Sequence, residues 1–290
     1  MLIQKVGIVG LGLMGGSLAQ ALSGQVESLV GVDQDETTRQ LAEQSGLFTQ
    51  VTESVAQISD DLNLLILATP VRAILQLLDQ LPTLRPYGCM VLDLGSTKAV
   101  ISQAMTILPP VFEAIGGHPM CGKETAGFAA ADATLYQGQT FVLCLNERTT
   151  PAALSVAQHL VNLLGARPLL LDPLVHDRLV ASVSHLPYLL AAVLMDQATA
   201  QADDRLWPVS ASGFRDTTRL AGSDPRMMLD ILMTNKTAVL DQLGHYRQRL
   251  DQLQQLLRDG DESQLADWLG TVQQHHLAFQ RRKSEDSRSL

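Results

Sequence analysis

His118 follows an apolar run, residues 111–115, and two glycines. An imidazole changes its protonation state near neutral pH, so it can accept or donate a proton during a reaction. A parallel sheet presents its ligands at the carboxyl ends of its strands. If the apolar run is such a strand, His118 lies just past its end, at the edge where a ligand would bind.

A glycine-rich loop near the start of the chain offers a partner for that proton chemistry. Gly10, Gly12 and Gly15 form the pattern G-x-G-x-x-G between an apolar strand and an alanine- and leucine-rich helix. In this pattern the first glycine makes a tight turn, the second lets a pyrophosphate approach, and the third lets the helix pack closely on the strand. We therefore predict that Gly10, Gly12, Leu13, Met14 and Gly15 bind a dinucleotide.

Asp33 indicates which dinucleotide this would be. It ends the second strand candidate, residues 29–32, at the expected distance from the glycine loop. A carboxylate there accepts hydrogen bonds from the ribose hydroxyls of NAD and repels the 2′-phosphate of NADP. Arg39 is the nearest following cation. The sequence favours NAD, with NADP as the alternative.

The first 172 residues alternate short apolar runs with helical stretches, which is typical of a doubly wound, parallel α/β sheet. The later residues show only helical periodicity. We therefore predict a Rossmann-type domain at 1–172 and an all-α domain at 173–290. The strand candidates are residues 5–9, 29–32, 62–68, 90–94, 111–115, 141–145 and 168–171.

One long helix is predicted to begin at Pro225 and to carry an apolar seam. The spacing by four and three is that of a coiled coil. Either this helix packs on its own domain, or two such helices pair in a homodimer. The seam consists of Leu232, Lys236, Val239, Leu243, Tyr246, Leu250, Leu253 and Leu257.

The composition limits the classes of partner. A net charge of −9 argues against nucleic acid as the main ligand, which would need a basic face. We find no long uncharged apolar run for a membrane span and no signal-peptide layout. Three distant cysteines predict reduced thiols in a cytoplasmic protein, and the Cys-His spacing of a structural zinc site is absent, so no metal is expected.

Further polar residues are expected to gather near the histidine. Ser96 comes just past the strand candidate at 90–94, so it would lie at the same sheet edge as His118. In the helical half, Arg215 and Arg219 are four residues apart and would share a face of a helix. Such a pair could clamp a dianionic substrate.

Taken in order, four motifs resemble the prephenate and arogenate dehydrogenases of tyrosine biosynthesis. They are Gly-Leu-Gly-Leu-Met-Gly-Gly-Ser-Leu, Gly-Gly-His-Pro-Met, Ser-His-Leu-Pro and Gly-Phe-Arg-Asp-Thr-Thr-Arg, within a match over about residues 5–257. The resemblance implies a Rossmann domain followed by an all-helical dimerisation domain. The arginine motif is most similar to cyanobacterial-type members, which tend to use arogenate with NADP and lack an acid at the position of Asp33.

The resemblance also implies a reaction and roles. Hydride leaves the ring carbinol for the nicotinamide, the hydroxyl loses its proton, and carbon dioxide departs as the ring becomes aromatic. By resemblance His118 accepts the proton, Ser96 holds the hydroxyl and the imidazole in register, and Arg219 binds a substrate carboxylate. Arg215 occupies a neighbouring cationic position, and His185 contacts the substrate. The sequence leaves prephenate and arogenate both open.

Alternatives remain at the level of residues and of the whole chain. Ser96 could instead cap a helix that starts at Thr97. A β-hydroxyacid dehydrogenase has a similar layout but needs a catalytic lysine in a glycine-rich helix, and the only lysines after residue 172 are Lys236 and Lys283. A non-catalytic NAD-binding sensor would have no use for both the histidine and the arginine pair.

Overall fold

The computed structural model describes residues 3–288, and their side chains as far as residue 284. Eight strands form one sheet in the order β3-β2-β1-β4-β5-β6-β7-β8. The change of direction beside β1 is the switch point at which doubly wound sheets bind ligands. The strands are β1 Lys5–Val9, β2 Ser28–Val32, β3 Gln50–Thr52, β4 Leu64–Leu67, β5 Met90–Asp93, β6 Glu113–Pro119, β7 Thr140–Cys144 and β8 Arg167–Leu171.

All strand pairs are parallel except β6 with β7. The central strands β1 and β4 are buried on both faces, which requires helices on each side of the sheet. Those helices are α1 Leu13–Leu22, α2 Glu36–Gln44, α3 Val71–Leu84, α4 Ala99–Ile107 and α5 Pro151–Leu163. The predicted α/β class is confirmed, with one antiparallel pair added to the parallel sheet.

Two details of the sheet differ from the sequence prediction. The short strand Gln50–Thr52 was not predicted, because its few residues are mostly polar and lie at the sheet edge. Strand β6 continues to Pro119, so His118 lies within the strand rather than past its end. The cause is β7, which pairs antiparallel with the glycines and places Val142 opposite His118.

The described residues after β8 form helices joined by turns, with no further strand among them, as predicted. Asp172 caps the first of these helices by accepting hydrogen bonds from the N–H groups of Leu174 and Val175. A π-helical turn, Ala181–His185, joins the first two helices. The helices are α6 Pro173–Val180, α7 Leu186–Thr199, α8 Leu206–Val209, α9 Ser212–Thr218, α10 Pro225–Thr234, α11 Lys236–Asp259 and α12 Glu262–Arg288.

The single helix predicted from Pro225 onward is wrong in one respect. Asp224 does cap its start, but the helix is interrupted at Asn235, which has a non-helical backbone. The interruption coincides with the division of the chain into two compact units, 1–236 and 237–290. The first unit contains the sheet together with helices α6 to α10, so this division does not fall at residues 172/173. The domain boundary predicted there stays a prediction.

One helical segment bears on the expectation that no long uncharged apolar run is present. The helical segment Pro173–Thr199 is long and apolar enough, by length and composition only, to cross a membrane. It is not uncharged, because it carries Asp177, Arg178 and Asp196. Its start is held inside the protein, since Asp177 is 3% exposed and binds the backbone at the start of α4.

Candidate active site

The glycine loop after β1 has the shape that a dinucleotide requires. Gly10 has φ +90°, a conformation that favours glycine, and a Cβ on Gly15 would lie 1.9 Å from the carbonyl oxygen of Gly10. In contrast, no atom lies within 4 Å of the place where a Cβ on Gly12 would stand. The loop is therefore tight beneath the helix and open above Gly12, where a pyrophosphate would approach.

Leu13 and Met14 are the first two residues of α1. The first N–H groups of a helix have no partner inside the helix and carry its positive dipole end, so they attract an anion. The phenol of Tyr136 donates to the carbonyl of Met14 at 2.7 Å, and the N–H of Asp132 donates to Oγ of Ser17 at 2.9 Å. These bonds hold the helix start in place. The residues present fit a bound dinucleotide.

Asp33 ties the loops after β1 and β2 together. Its Oδ2 accepts from the N–H of Leu11 at 2.7 Å, and its Oδ1 accepts from the N–H of Asp35 at 2.9 Å. Each carboxylate oxygen keeps a lone pair that a ribose hydroxyl could use. Arg39 lies against the same loop and donates from Nη1 to the carbonyls of Asp33 and Gln34, at 2.9 and 2.8 Å.

His118 contacts a second imidazole. Its Nδ1 lies 2.8 Å from Nε2 of His176, with the rings edge to face, and Nδ1 of His176 lies 2.8 Å from Oδ1 of Asp177. Burial holds the pKa of His118 well below its ordinary value, and the nearby His176, Lys98 and His185 lower it further. His118 is therefore neutral at neutral pH, and its Nε2 has no hydrogen-bond partner within residues 3–284.

Asp177 also anchors the start of α4. Its Oδ1 accepts from the N–H of Lys98 at 2.7 Å, and its Oδ2 accepts from the N–H of Ala99 at 2.9 Å. An acidic side chain is favoured at a helix N-terminus, so these contacts help to hold the start of α4 in place. The Asp177 side chain thereby joins α6 to the loop that carries Ser96.

A buried ion pair holds this loop from the other side. The ammonium of Lys98 bonds to Oδ2 of Asp93 and to the carbonyl of Gly117, the latter at 2.7 Å. Asp93 in turn accepts from the N–H groups of Gly95 and Gly117. Both charged side chains are fully buried. The pair fixes the Gly95–Lys98 loop against the residue that precedes His118.

His185 lies beside the same group of residues. It is 1% exposed, and its Nδ1 lies 3.3 Å from Nδ2 of Asn235, which also donates to the carbonyl of Asp177 at 2.7 Å. Burial lowers the pKa of His185 to about 4, although the charge of Asp177 acts in the opposite direction. This side chain is therefore a neutral hydrogen-bonding group at physiological pH.

Ser96 is not the helix cap that the sequence allowed as an alternative. Helix α4 begins at Ala99, and Asp177 supplies the carboxylate at its N-terminus. The Ser96 hydroxyl is partly buried and has no hydrogen bond to any residue of the described part of the chain, His118 included. The Ser96 hydroxyl therefore lies at the sheet edge and can form a hydrogen bond with a ligand.

The two arginines bind different carboxylates. Arg219 donates from Nη1 to Oε1 of Glu124 at 2.6 Å, whereas Nε of Arg215 lies 3.3 Å from Oδ1 of Asp216. Helix α9 ends at Thr218, and Arg219 begins a 3₁₀ turn. The backbone of Arg219 is itself helical, so the shared helix face of the two arginines stays a prediction, and Arg219 is the one that reaches across to the loop that follows β6.

With this geometry in place, comparison with known proteins assigns the family. Residues 18–170 match the nucleotide-binding domain of prephenate dehydrogenase, and residues 172–271 match its dimerisation domain. The chain belongs to the prephenate dehydrogenase family. It is therefore an NAD(P)-dependent dehydrogenase, as the motifs predicted, and the β-hydroxyacid dehydrogenase and sensor alternatives are not supported.

Individual members of the family are similar over nearly the whole chain. The prephenate dehydrogenase of Bacillus subtilis is 29% identical, over 92% of this chain and 74% of that protein. The solved prephenate dehydrogenase of Aquifex aeolicus with hydroxyphenyl propionate and NAD⁺ is 29% identical, with a TM-score of 0.89, over 96% and 98% of the two chains. Synechocystis arogenate dehydrogenase is 30% identical, with a TM-score of 0.82, over 95% and 100%.

Sequence reasoning missed several polar residues of this prephenate dehydrogenase family site. His176 and Asp177 carried no recognised motif, although they are adjacent titratable residues in the first helix after the sheet half. Lys98 comes two residues after Ser96 in the sequence but was given no role. What these residues share is burial, which the sequence does not show: a lysine, an aspartate and a histidine that are inside the protein need partners.

Proposed function

We propose that this chain carries out the oxidative decarboxylation of prephenate or arogenate, with His118 as the general base. The observation that carries the proposal is the placement of His118 at the carboxyl edge of the sheet, with Nδ1 engaged by His176 and Nε2 free. A dinucleotide held by the Gly10–Gly15 loop would supply the acceptor for the hydride of the ring carbinol. His118 Nε2 takes the proton of the hydroxyl. Loss of carbon dioxide then returns electrons to the oxygen, which recovers the proton from His118 as the ring becomes aromatic.

Charge and position support the roles of the other residues. Arg219 would bind a substrate carboxylate in place of that of Glu124, since a guanidinium forms strong, charge-assisted hydrogen bonds with either. Ser96, with its free hydroxyl, would hold the substrate hydroxyl near His118. His185 would contact the substrate as a neutral group. Arg215 is exposed and paired with its neighbour, so we assign it only a peripheral electrostatic contribution.

We propose NAD as the preferred dinucleotide. The Asp33 carboxylate would accept hydrogen bonds from the ribose hydroxyls and repel an added 2′-phosphate. Arg39 offers a guanidinium next to that position, but its Nη1 is held by two backbone carbonyls. The loop therefore engages part of the guanidinium, while the charge of Asp33 opposes an added 2′-phosphate.

The match to a dimerisation domain supports a homodimer through the helical half. Apolar side chains are exposed on this half of the chain. Examples are Val183 in the π-helical turn, Val193 in α7 and Met233 in α10. A second copy of the chain would cover such surface. We place this acidic enzyme in the cytoplasm and expect no nucleic-acid partner.

A four-way steady-state assay tests the proposed function. Prephenate and arogenate are each offered with NAD⁺ or NADP⁺, and the formation of reduced dinucleotide is followed. We expect turnover with at least one substrate and a higher kcat/KM with NAD⁺. Absence of turnover in all four combinations, while calorimetry still shows NAD⁺ binding, would contradict the proposal.

A further inference from the structure

The residue behind His118 is a second histidine that is completely buried. His176 is 0% exposed and lies between Nδ1 of His118 and the carboxylate of Asp177, with 2.8 Å on each side. Three titratable side chains thus form one hydrogen-bonded row from the free Nε2 of His118 to the start of α4. If the group at one end of the row can only accept hydrogen bonds, the direction of donation along the whole row is fixed.

Asp177 is that accepting end. As a carboxylate it has no proton to donate, and it already receives the N–H groups of Lys98 and Ala99. The ring of His176 must therefore carry a proton on Nδ1 to bond to it. In neutral His176 the other nitrogen, Nε2, is then an acceptor, so His118 must donate to it from Nδ1. This arrangement leaves Nε2 of His118 with a bare lone pair, as a base requires.

We propose that His176 is a positioning residue, which holds neutral His118 in the Nδ1–H tautomer and shares the proton that His118 takes from the substrate. This inference rests on the proposed function of His118. The proton balance is simple. One proton passes from the substrate hydroxyl to Nε2 of His118, while the Nδ1 proton of His118 moves to Nε2 of His176. His176 is then an imidazolium beside the Asp177 carboxylate, and both transfers reverse when the product oxygen is reprotonated.

The surrounding charges favour this direction. Lys98 faces His118 and disfavours a positive charge on it, while Asp93, the partner of Lys98, is directed at the ammonium and at backbone N–H groups. His185 also faces the row, and its Nδ1 is engaged by Asn235. Among the described residues around the two rings, Asp177 is the carboxylate in contact with an imidazole, and the ring that it contacts is that of His176, so the moved proton would arrive beside a counter-charge.

Nuclear magnetic resonance of histidine-labelled protein tests the tautomer directly, without turnover. Long-range ¹H–¹⁵N spectra at pH 8 distinguish a protonated from a bare ring nitrogen, and the H118N variant assigns the His118 signals. We expect a protonated Nδ1 and a bare Nε2 in the wild-type enzyme. We expect H176L to move the His118 proton to Nε2. A wild-type His118 that carries its proton on Nε2 would overturn the proposal.

Two substitutions separate positioning from proton sharing. H176Q places an amide oxygen near the position of the His176 Nε2. This oxygen can accept a hydrogen bond from His118 but cannot take its proton, whereas the leucine of H176L can do neither. We expect kcat to fall about 10-fold in H176Q and about 100-fold in H176L, by the usual scale of acid–base effects.

Controls keep folding and function apart. H159Q, on helix α5, should leave kcat unchanged, and NAD⁺ affinity together with the melting temperature checks that each variant is folded. Wild-type kcat in H176L would overturn the proposal. If the enzyme turned over neither substrate, the proposed function would fail, while the spectra would still decide the tautomer of His118.

Discussion

Arg219 donates a hydrogen bond from Nη1 to Oε1 of Glu124 at 2.6 Å, which joins the helical half to the loop that follows β6. The two side chains are 57% and 73% exposed, so the pair contributes little to stability. A substrate carboxylate can therefore replace Glu124 at small cost.

The R219A variant should bind substrate weakly while it keeps its fold. A hydrogen bond to a charged group contributes about 1.5–3 kcal/mol, so KM should rise by about 10-fold or more, with a smaller change in kcat. Steady-state kinetics measures both constants. R226A is a matched control, because the Arg226 side chain is 94% exposed and its Nη2 lies 3.9 Å from Oδ2 of Asp224. An unchanged KM in R219A would remove Arg219 from the substrate site.

Replacement of His118 by asparagine should abolish proton transfer but not binding. We expect kcat to fall by about 10²-fold or more, the usual scale for loss of a general base, with a modest change in KM. Calorimetry should show unchanged NAD⁺ affinity. H275N, at an exposed position of α12, serves as the control. If H118N kept most of its kcat, the base would have to be another group.

The sequence predicted the parts of this enzyme that depend on local pattern. Strand β1 was placed at its observed bounds, because a run of apolar residues ending at a glycine loop has few other interpretations. The short polar strand Gln50–Thr52 was missed, since only its pairing with β2 makes it a strand. Likewise His118 was expected past a strand end, and the antiparallel partner β7 that extends β6 left no local signal.

A site residue could be predicted where it belongs to a short sequence motif and its residue type alone indicates its role. Gly10, Asp33 and His118 fall into that class. The row from His118 to Asp177 was not predictable, because residues 58 positions apart meet only after α6 packs beside the sheet. The break at Asn235 was not predictable either, because the sequence around it has the pattern of a continuous helix.

Dinucleotide preference should follow the charge at the end of β2. In the double variant D33S/Q34R we expect a shift of kcat/KM toward NADP⁺, since a carboxylate is lost and a cation gained beside the 2′ position. Affinity for NAD⁺ should also fall, because Asp33 holds the N–H of Leu11. The single variant Q34R is the control and should keep the preference for NAD⁺. An unchanged preference in the double variant would contradict the role given to Asp33.

The stability of the enzyme should fall in mild acid because of His185. Its folded-state pKa is about 4, below the ordinary value of 6.5. The unfolded chain therefore takes up a proton at pH values where the folded protein does not. The stabilising contribution is fully present above pH 6.5 and decreases as the pH falls toward 4, by about 3 kcal/mol at most.

Urea unfolding at several pH values between 7.5 and 4.5 measures this dependence. In H185N the new amide oxygen can still accept from Asn235, but no imidazole titrates, so the loss of stability in acid should be smaller. Some loss should remain, since the pKa of His118 is also lowered. Identical slopes for the wild type and H185N would show that His185 does not contribute.

The buried pair of Lys98 and Asp93 gives the largest expected effect on stability. In K98M the Asp93 carboxylate keeps the N–H groups of Gly95 and Gly117 but loses its counter-charge. Removal of one partner from a buried ion pair costs about 3–5 kcal/mol, so the free energy of unfolding should fall by that amount. The double variant D93N/K98M removes the unpaired charge while it keeps an oxygen acceptor, and it should therefore be more stable than K98M. Urea unfolding of the wild type, K98M, D93N and the double variant completes a cycle that measures the coupling. A double variant no more stable than K98M would mean that Lys98 acts through its bond to the carbonyl of Gly117 rather than through the charge of Asp93.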